Sequence, residues 1–158
     1  MPPELPEHLG EYTARAAAPD DASGAAACAT EAYEHYVTRN GLVPVPMRQD
    51  YTEVIRDFQV TVVEHDGGIV AVLALAATGE GFLLDNIAIA PAHQGNGLGR
   101  VLLEYAESEA RRQGFDSIYL YAQEIMTENL ARYRRIGYVE YDRRVEFGLH
   151  RVYLRKPL

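Results

Sequence analysis

The sequence predicts an α/β (α+β) fold, a mixed central sheet of six to seven strands flanked by about four helices, and three observations carry it. Phe82-Leu83-Leu84-Asp85-Asn86-Ile87-Ala88-Ile89-Ala90 is a short, largely apolar run closed by Pro91, the pattern of a buried strand. After a glycine-rich turn, Leu98, Val101, Leu102, Tyr105, Ala106 and Ala110 recur at helical spacing, with Glu104, Glu107, Ser108 and Arg111 on the other side. Upstream, two β-rich runs flank His65-Asp66-Gly67-Gly68, a hairpin signal. A chain of 158 residues is long enough for one core and too short for two comfortable domains.

Residues 1–10 hold three prolines and little periodicity and read as a flexible N-terminal tail before a single domain over 11–158. Tyr12 to Ala16 is a short candidate strand. Asp20 or Asp21 is placed to cap an Ala-rich helix that runs to about Tyr36 and is broken by Asn40-Gly41. Pro44 and Pro46 make Leu42 to Met47 an extended connection, and Asp50 caps a second helix to about Phe58. Strands follow at Val60–Glu64, Ile69–Leu75 and Phe82–Ala90. The amphipathic helix from Leu98 ends at Gly114, a C′ glycine. Ser117–Tyr121 reads as a strand and Thr127–Arg135 as a helix with Thr127 as its N-cap. Tyr138–Phe147 and His150–Lys156 are two last strands hinged near Gly148.

Gln94-Gly95-Asn96-Gly97-Leu98-Gly99-Arg100 joins strand to helix. Three alternate glycines let several N–H groups point at one ligand, and the helix start adds unpaired donors and partial positive charge, so the natural guest is an anion. A triphosphate loop needs Gly-Lys, which is absent, and the dinucleotide fingerprint needs Gly-x-Gly-x-x-Gly, where this chain has Gly95-x-Gly97-x-Gly99.

Gln94, Gly97 and Gly99 match motif A of the Gcn5-related N-acetyltransferase (GNAT) superfamily, [Gln/Arg]-x-x-Gly-x-[Gly/Ala]. Asp85 to Pro91 is similar to that family's fourth strand, and Thr127 to Tyr138 resembles its last helix and Tyr-x-x-x-Gly-[Phe/Tyr] ending. The resemblance covers most of residues 60–156. It implies the GNAT acyl-CoA N-acyltransferase fold and an enzyme that moves an acetyl group from acetyl-CoA to an amine acceptor, a small molecule or an amino acid or peptide amine, by direct attack in a ternary complex. A catalytically silent acyl-CoA-binding or regulatory module, or transfer of another acyl group, is the alternative. A looser similarity through Tyr36 and Pro44-Val45-Pro46-Met47…Asp50-Tyr51 is to small bacterial acetyltransferases.

The resemblance assigns residues in turn. Ile87, Ala88 and Ile89 offer backbone N–H and C=O groups to pantetheine, with an N–H near Ile87 for the thioester oxygen. Gln94, Gly95, Asn96, Gly97, Leu98, Gly99 and Arg100 take the pyrophosphate. Tyr133, four residues before Gly137, is the proton donor to the departing thiolate, and a phenol at about 10 against a thiol at about 8.5 is uphill by roughly 2 kcal/mol. Its alternative is a core tyrosine. Asn129 shares the helix face of Tyr133 and is either a cofactor contact or a local cap; the slot seven before the tyrosine, where the family commonly has asparagine, holds Met126. Asp85 is the candidate base, on the strand face of Leu83 and Ile87, or else a structural group at a strand bend. Leu83 stands where some family members carry a glutamate. The first two helices imply an acceptor wall of Glu34, Tyr36, Met47 and Tyr51, with Tyr141 from the last strands. His93 reads as a surface loop histidine near the phosphates, and His35 has no partner spacing.

A net charge of −8 excludes nucleic acid and anionic membranes as partners and opposes an anionic cofactor, so local groups such as Arg100 must overcome the global field. Arg132, Arg134 and Arg135 either help in this or form a solvated face. One cysteine, Cys28, permits no internal disulfide and reads as a small buried hydrophobe. No metal-ligand spacing occurs, and no signal-like or spanning apolar run, which points to a cytoplasmic protein, monomer or homodimer.

Overall fold

The computed structural model describes residues 1–41 and 43–158, without the side chains of residues 39 and 40. Seven strands, β1 (Thr13–Ala16), β2 (Gln59–His65), β3 (Gly68–Thr78), β4 (Gly81–Ile89), β5 (Ser117–Gln123), β6 (Val139–Glu146) and β7 (Leu149–Pro157), form one sheet in the order β1-β2-β3-β4-β5-β7-β6. All neighbours are antiparallel except β4 and β5. Helices α1 (Ala22–Asn40), α2 (Val45–Arg48), α3 (Tyr51–Asp57), α4 (Leu98–Arg112) and α5 (Thr127–Arg135) complete the chain. This is the mixed sheet and strand–helix order expected from the pattern.

The helices cover two faces. On one, Ala25, Cys28, Ala29 and Tyr36 of α1 and Tyr51 and Val54 of α3 pack on Val62, Val72, Ala74 and Ala88. On the other, Leu98, Leu102, Ala106 and Ala110 of α4 and Leu130 and Tyr133 of α5 pack on Leu73, Leu84, Ile118, Leu120, Val152 and Leu154. Burial pushes the Cys28 thiol up to about 12, so it is the inert hydrophobe expected. Among the described residues, no helix is long and apolar enough to cross a membrane.

Turn chemistry follows the residues. Asp66 (φ 50°) and Gly67 (φ 79°) make the two-residue β2–β3 turn, and Phe147 (φ 52°) and Gly148 (φ 75°) do the same between β6 and β7, both left-handed pairs that suit the twist of a hairpin. Gly114 (φ 89°) closes α4: its N–H donates to the Arg111 carbonyl and that of Phe115 to Ala110, the Schellman pattern. Asp50 caps α3 by accepting from the Thr52 N–H at 2.9 Å.

Four local expectations are corrected. Asp21 sits at the end of a 3-10 turn in helical backbone geometry, so its carboxylate accepts from the Ala18 N–H and pairs with Arg15 at 2.7 Å instead of capping α1. Thr127 is already inside α5, whose cap position is Met126 with no side-chain cap. Residues 45–48 form a helical turn, because Pro46 suits a first turn where no N–H is needed; Leu42 of the expected connection lies outside the described residues. The 1–10 segment is also tied to the domain: Glu7–Leu9 is a 3-10 turn, Leu9 is 1% exposed in the core under α4, and the Tyr105 hydroxyl donates to the Met1 carbonyl at 2.5 Å.

Leu9→Ala therefore lowers stability by about 2–5 kcal/mol, the range for emptying a buried leucine site. A urea midpoint unchanged from the parent protein would show instead that the first ten residues are dispensable to the core.

Candidate active site

The site begins at a break in the sheet. β4 pairs with β5 at only two positions, Phe82↔Ile118 and Leu83↔Tyr119, after which the parallel strands separate. On its other side β4 slips register against β3: Asn86 opposes Ala74 and Leu84 opposes Leu75, leaving Asp85 as a bulge. The extra residue inverts the alternation. Leu83 packs with Tyr119 and Tyr153 on the face toward which Asn86 and Ala88 also point, while Ile87 and Ile89 pack on the opposite, α4 side. The expectation that Asp85 shares one face with both Leu83 and Ile87 fails for that reason.

Below the bulge the edge of β4 that faces the gap is free of strand partners. The Ile87 carbonyl accepts from the Tyr33 hydroxyl at 3.0 Å, and the Ile89 carbonyl from the Gln94 side-chain amide at 2.9 Å. Gln94 thus ties the glycine turn to the strand. Gly95 (φ 81°) and Gly97 (φ 92°) take left-handed backbone angles, and Gly97 is the N-cap of α4. Asn96 turns inward: its side chain accepts from the Leu98 N–H at 3.1 Å and donates to the Tyr12 hydroxyl at 2.8 Å, which meets His93 Nδ1 at 2.8 Å. His93 is thereby held by Tyr12, the residue before β1.

A long cleft runs from Gln94, Gly95, Gly97, Gly99 and Arg100 past Ile87 and Ile89 to Asn129 and Tyr133. A Cβ at Gly95 would meet nothing within 4 Å, so the turn is open toward the cleft. Of the residues expected here, Leu98 is fully buried with its N–H donated to Asn96, and Ala88 faces α1 and is paired with Val72, so neither lines the cleft. Glu104, Glu107 and Glu128 also line the cleft. Arg100 pairs with Glu104 at 3.1 Å and Lys156 with Glu107 at 3.1 Å, and His35 stands 3.6 Å from Glu128. Arg132 is the one of the three clustered arginines on the cleft, without an ion pair among the described residues, whereas Arg134 pairs with Glu140.

A second cavity meets the first at Tyr33, Ile87, Asn129 and Tyr133. Asp85, Gln49, Tyr121 and Arg151 line its far end. Burial pushes the Asp85 carboxyl up to about 6 against the opposing pull of a Gln49 hydrogen bond and of Arg151, and its Oδ2 has no hydrogen-bond partner among the described residues. Burial raises Tyr133 to about 12, with Arg132 opposing, and its hydroxyl makes no hydrogen bond among the described residues.

The expected acceptor wall is largely displaced. Glu34 is exposed on the far side of α1, and Tyr36 is fully buried, its hydroxyl accepting from the Asn129 N–H at 3.4 Å. Tyr51 is buried and donates to the Pro46 carbonyl at 2.7 Å, and Met47 packs into the α1 core while its neighbours Val45 and Pro46 line the cavity. Tyr141 lies on the outer face of β6 against Glu80. The helix phase puts Tyr33, three residues before Tyr36, at the site instead. Tyr33, Gln49, Asn86, Tyr121 and Arg151 were all missed; α1 carried a signal in its paired tyrosines, whereas Asn86, Tyr121 and Arg151 meet through sheet register and Gln49 arrives from the end of α2.

The acetyltransferase (GNAT) domain model matches residues 56–140. A streptothricin acetyltransferase from Streptomyces lavendulae is 28% identical over 94 residues, 55% of this chain and 50% of that protein, so the chain spans about half the length of this curated relative. Among solved structures, a PaiA N-acetyltransferase from Thermoplasma acidophilum in complex with coenzyme A superposes with a TM-score of 0.75 at 15% identity, covering 93% of this chain and 99% of that one. A nourseothricin acetyltransferase superposes at 0.69 with 21% identity, covering 93% and 98%. With its motif turn, separated strands and tyrosine helix all inside or beside the matched span, the chain belongs to the GNAT acetyltransferase family.

Proposed function

We propose that the protein transfers an acetyl group from acetyl-CoA to an amine bound beside Asp85, in a ternary complex without a covalent enzyme intermediate. One observation carries the reading: Tyr133 lines both the glycine-turn cleft and the Asp85 cavity, so one hydroxyl stands where donor and acceptor would meet. The open turn suits the pyrophosphate, the free edge of β4 suits pantetheine, and bound acetyl-CoA supplies the activated acyl carbon. The amine nitrogen bonds to that carbon as the carbon–sulfur bond breaks. Asp85 takes the amine proton, and Tyr133 gives its proton to the thiolate.

The proton arithmetic defines what each group does. Passing a proton from an alkylammonium at about 10.4 to Asp85 at about 6 costs roughly 6 kcal/mol, and its release to water at pH 7 returns roughly 1.4. Asp85 thus offers a path for the proton and not a driving force. Tyr133 at about 12 faces a thiol near 8.5, uphill by roughly 5 kcal/mol, so its donation must coincide with the charge appearing on sulfur. A cytoplasmic setting belongs to this reading, supported by the single, buried Cys28.

Coenzyme A release from acetyl-CoA over a panel of amines tests the activity. Tyr133→Phe is expected to lower kcat by about 100-fold or more while the Kd for coenzyme A moves by less than about threefold; a kcat equal to the parent would reject Tyr133 as the donor. The pH profile tests Asp85. Its raised pKa leaves it protonated, and unable to accept, below about 6, so kcat/KM for the amine should fall about tenfold per pH unit there. An acid limb that survives in Asp85→Asn would assign it to another group.

A further inference from the structure

We infer that the acceptor is a zwitterion of the amino-acid type, its ammonium seated on Asp85 and its carboxylate on Arg151, an assignment that rests on the proposed amine acetylation and narrows it. Both side chains line the same cavity, and each has unmet hydrogen-bonding capacity facing it. Asp85 is met by Gln49, but its Oδ2 is buried without a hydrogen bond among the described residues. The Arg151 side chain is only 11% exposed, yet none of its N–H groups makes a hydrogen bond among the described residues. It has a 3.6 Å ion pair with Glu146 and lies 4.5 Å above the Tyr121 ring. Asp85 and Arg151 do not pair with each other.

Two opposite, desolvated charges left apart across one cavity are costly as they stand, because an unpaired buried donor or acceptor loses its hydration without return. A ligand with a donor cation at one end and an acceptor anion at the other satisfies both. A bare diamine satisfies Asp85 alone and sets a second cation against the guanidinium. A carboxylate matches the planar fork of Arg151 in two parallel bonds, and the Tyr121 ring fixes the plane of that fork. The transfer itself is unaltered, since the carboxylate is bound and unreacted: one ammonium proton leaves through Asp85 to water, the amine nitrogen then bonds to the acetyl carbon as the carbon–sulfur bond breaks, the second proton goes to Asp85, and Tyr133 protonates the leaving sulfur.

Matched acceptors test this: lysine against cadaverine, alanine against ethylamine, and γ-aminobutyrate against propylamine. The parent protein should favour the carboxylated member by at least tenfold in kcat/KM, and that ratio should fall at least tenfold in Arg151→Gln, with Arg151→Lys between the two. Equal use of both members, or a ratio that Arg151→Gln leaves as it was, overturns the assignment while leaving amine acetylation standing. If no amine releases coenzyme A, the proposed activity fails separately, and calorimetry of the same pairs on the protein with coenzyme A still decides. Tighter binding of the amino acids that is lost in Arg151→Gln upholds the zwitterion site, and no difference rejects it. Preference for a phosphorylated amine over the carboxylate also counts against it.

Discussion

The bulge at Asp85 is the constraint from which the site follows. One residue added to β4 opposite Ala74 and Leu75 inverts the strand's alternation, so that Asn86 and Ala88 face α1 while Ile87 and Ile89 face α4. The bent strand then leaves β5 after Leu83. That separation exposes a row of backbone groups in the interior of the sheet, where an unpaired strand edge is otherwise costly. The carbonyls there are met by Tyr33 and Gln94, which are also the residues that join the edge to α1 and to the glycine turn.

A buried polar network holds the bulge in place. Asn86 shares the single Tyr33 O–H, at 2.9 Å, with the Ile87 carbonyl and donates to Tyr51 at 3.1 Å, and Tyr51 donates to the Pro46 carbonyl. Each member is satisfied, so burial is not penalised, and three segments distant in sequence are fixed to one strand position. Tyr51 is spent in this network and Tyr36 in the α1 core, so that of these three tyrosines Tyr33 reaches the junction of the two cavities, where it meets Tyr133.

Much of the fold was legible because it rests on local patterns: the period of α4, the Asp66-Gly67 turn, Gly114 after the last turn of α4, and the apolar run of β4. The glycine turn and Tyr133 were legible for the same reason, as short motifs with fixed spacing. What was not legible depends on register. Strict alternation puts Asp85 with Leu83 and Ile87, and no residue type announces the bulge that breaks it. Tyr121 and Arg151 approach only because Gln123 opposes Arg151 and Tyr121 opposes Tyr153 across β5 and β7. The 1–10 segment reads as loose through its prolines, whereas Leu9 is buried in the core and Leu5 packs against it.

The arginines of the sheet bear on the proposed acceptor cavity. Arg15 is held by Asp21 and Glu64, Arg144 by Glu80 and Asp142, and Arg155 by Ser117 and the Glu80 carbonyl. Arg15 and Arg144, with side chains 36% and 33% exposed, retain water as an alternative partner, yet each is hydrogen-bonded. Arg151 is more buried than either and has none of those bonds. Exposure alone would predict the reverse, because the penalty for an unmet guanidinium donor grows as water is withdrawn. Arg151, less exposed than Arg15 and Arg144 yet without a side-chain hydrogen bond among the described residues, lines one cavity with Asp85, whose Oδ2 is also unmet, and the proposed zwitterion would complete both.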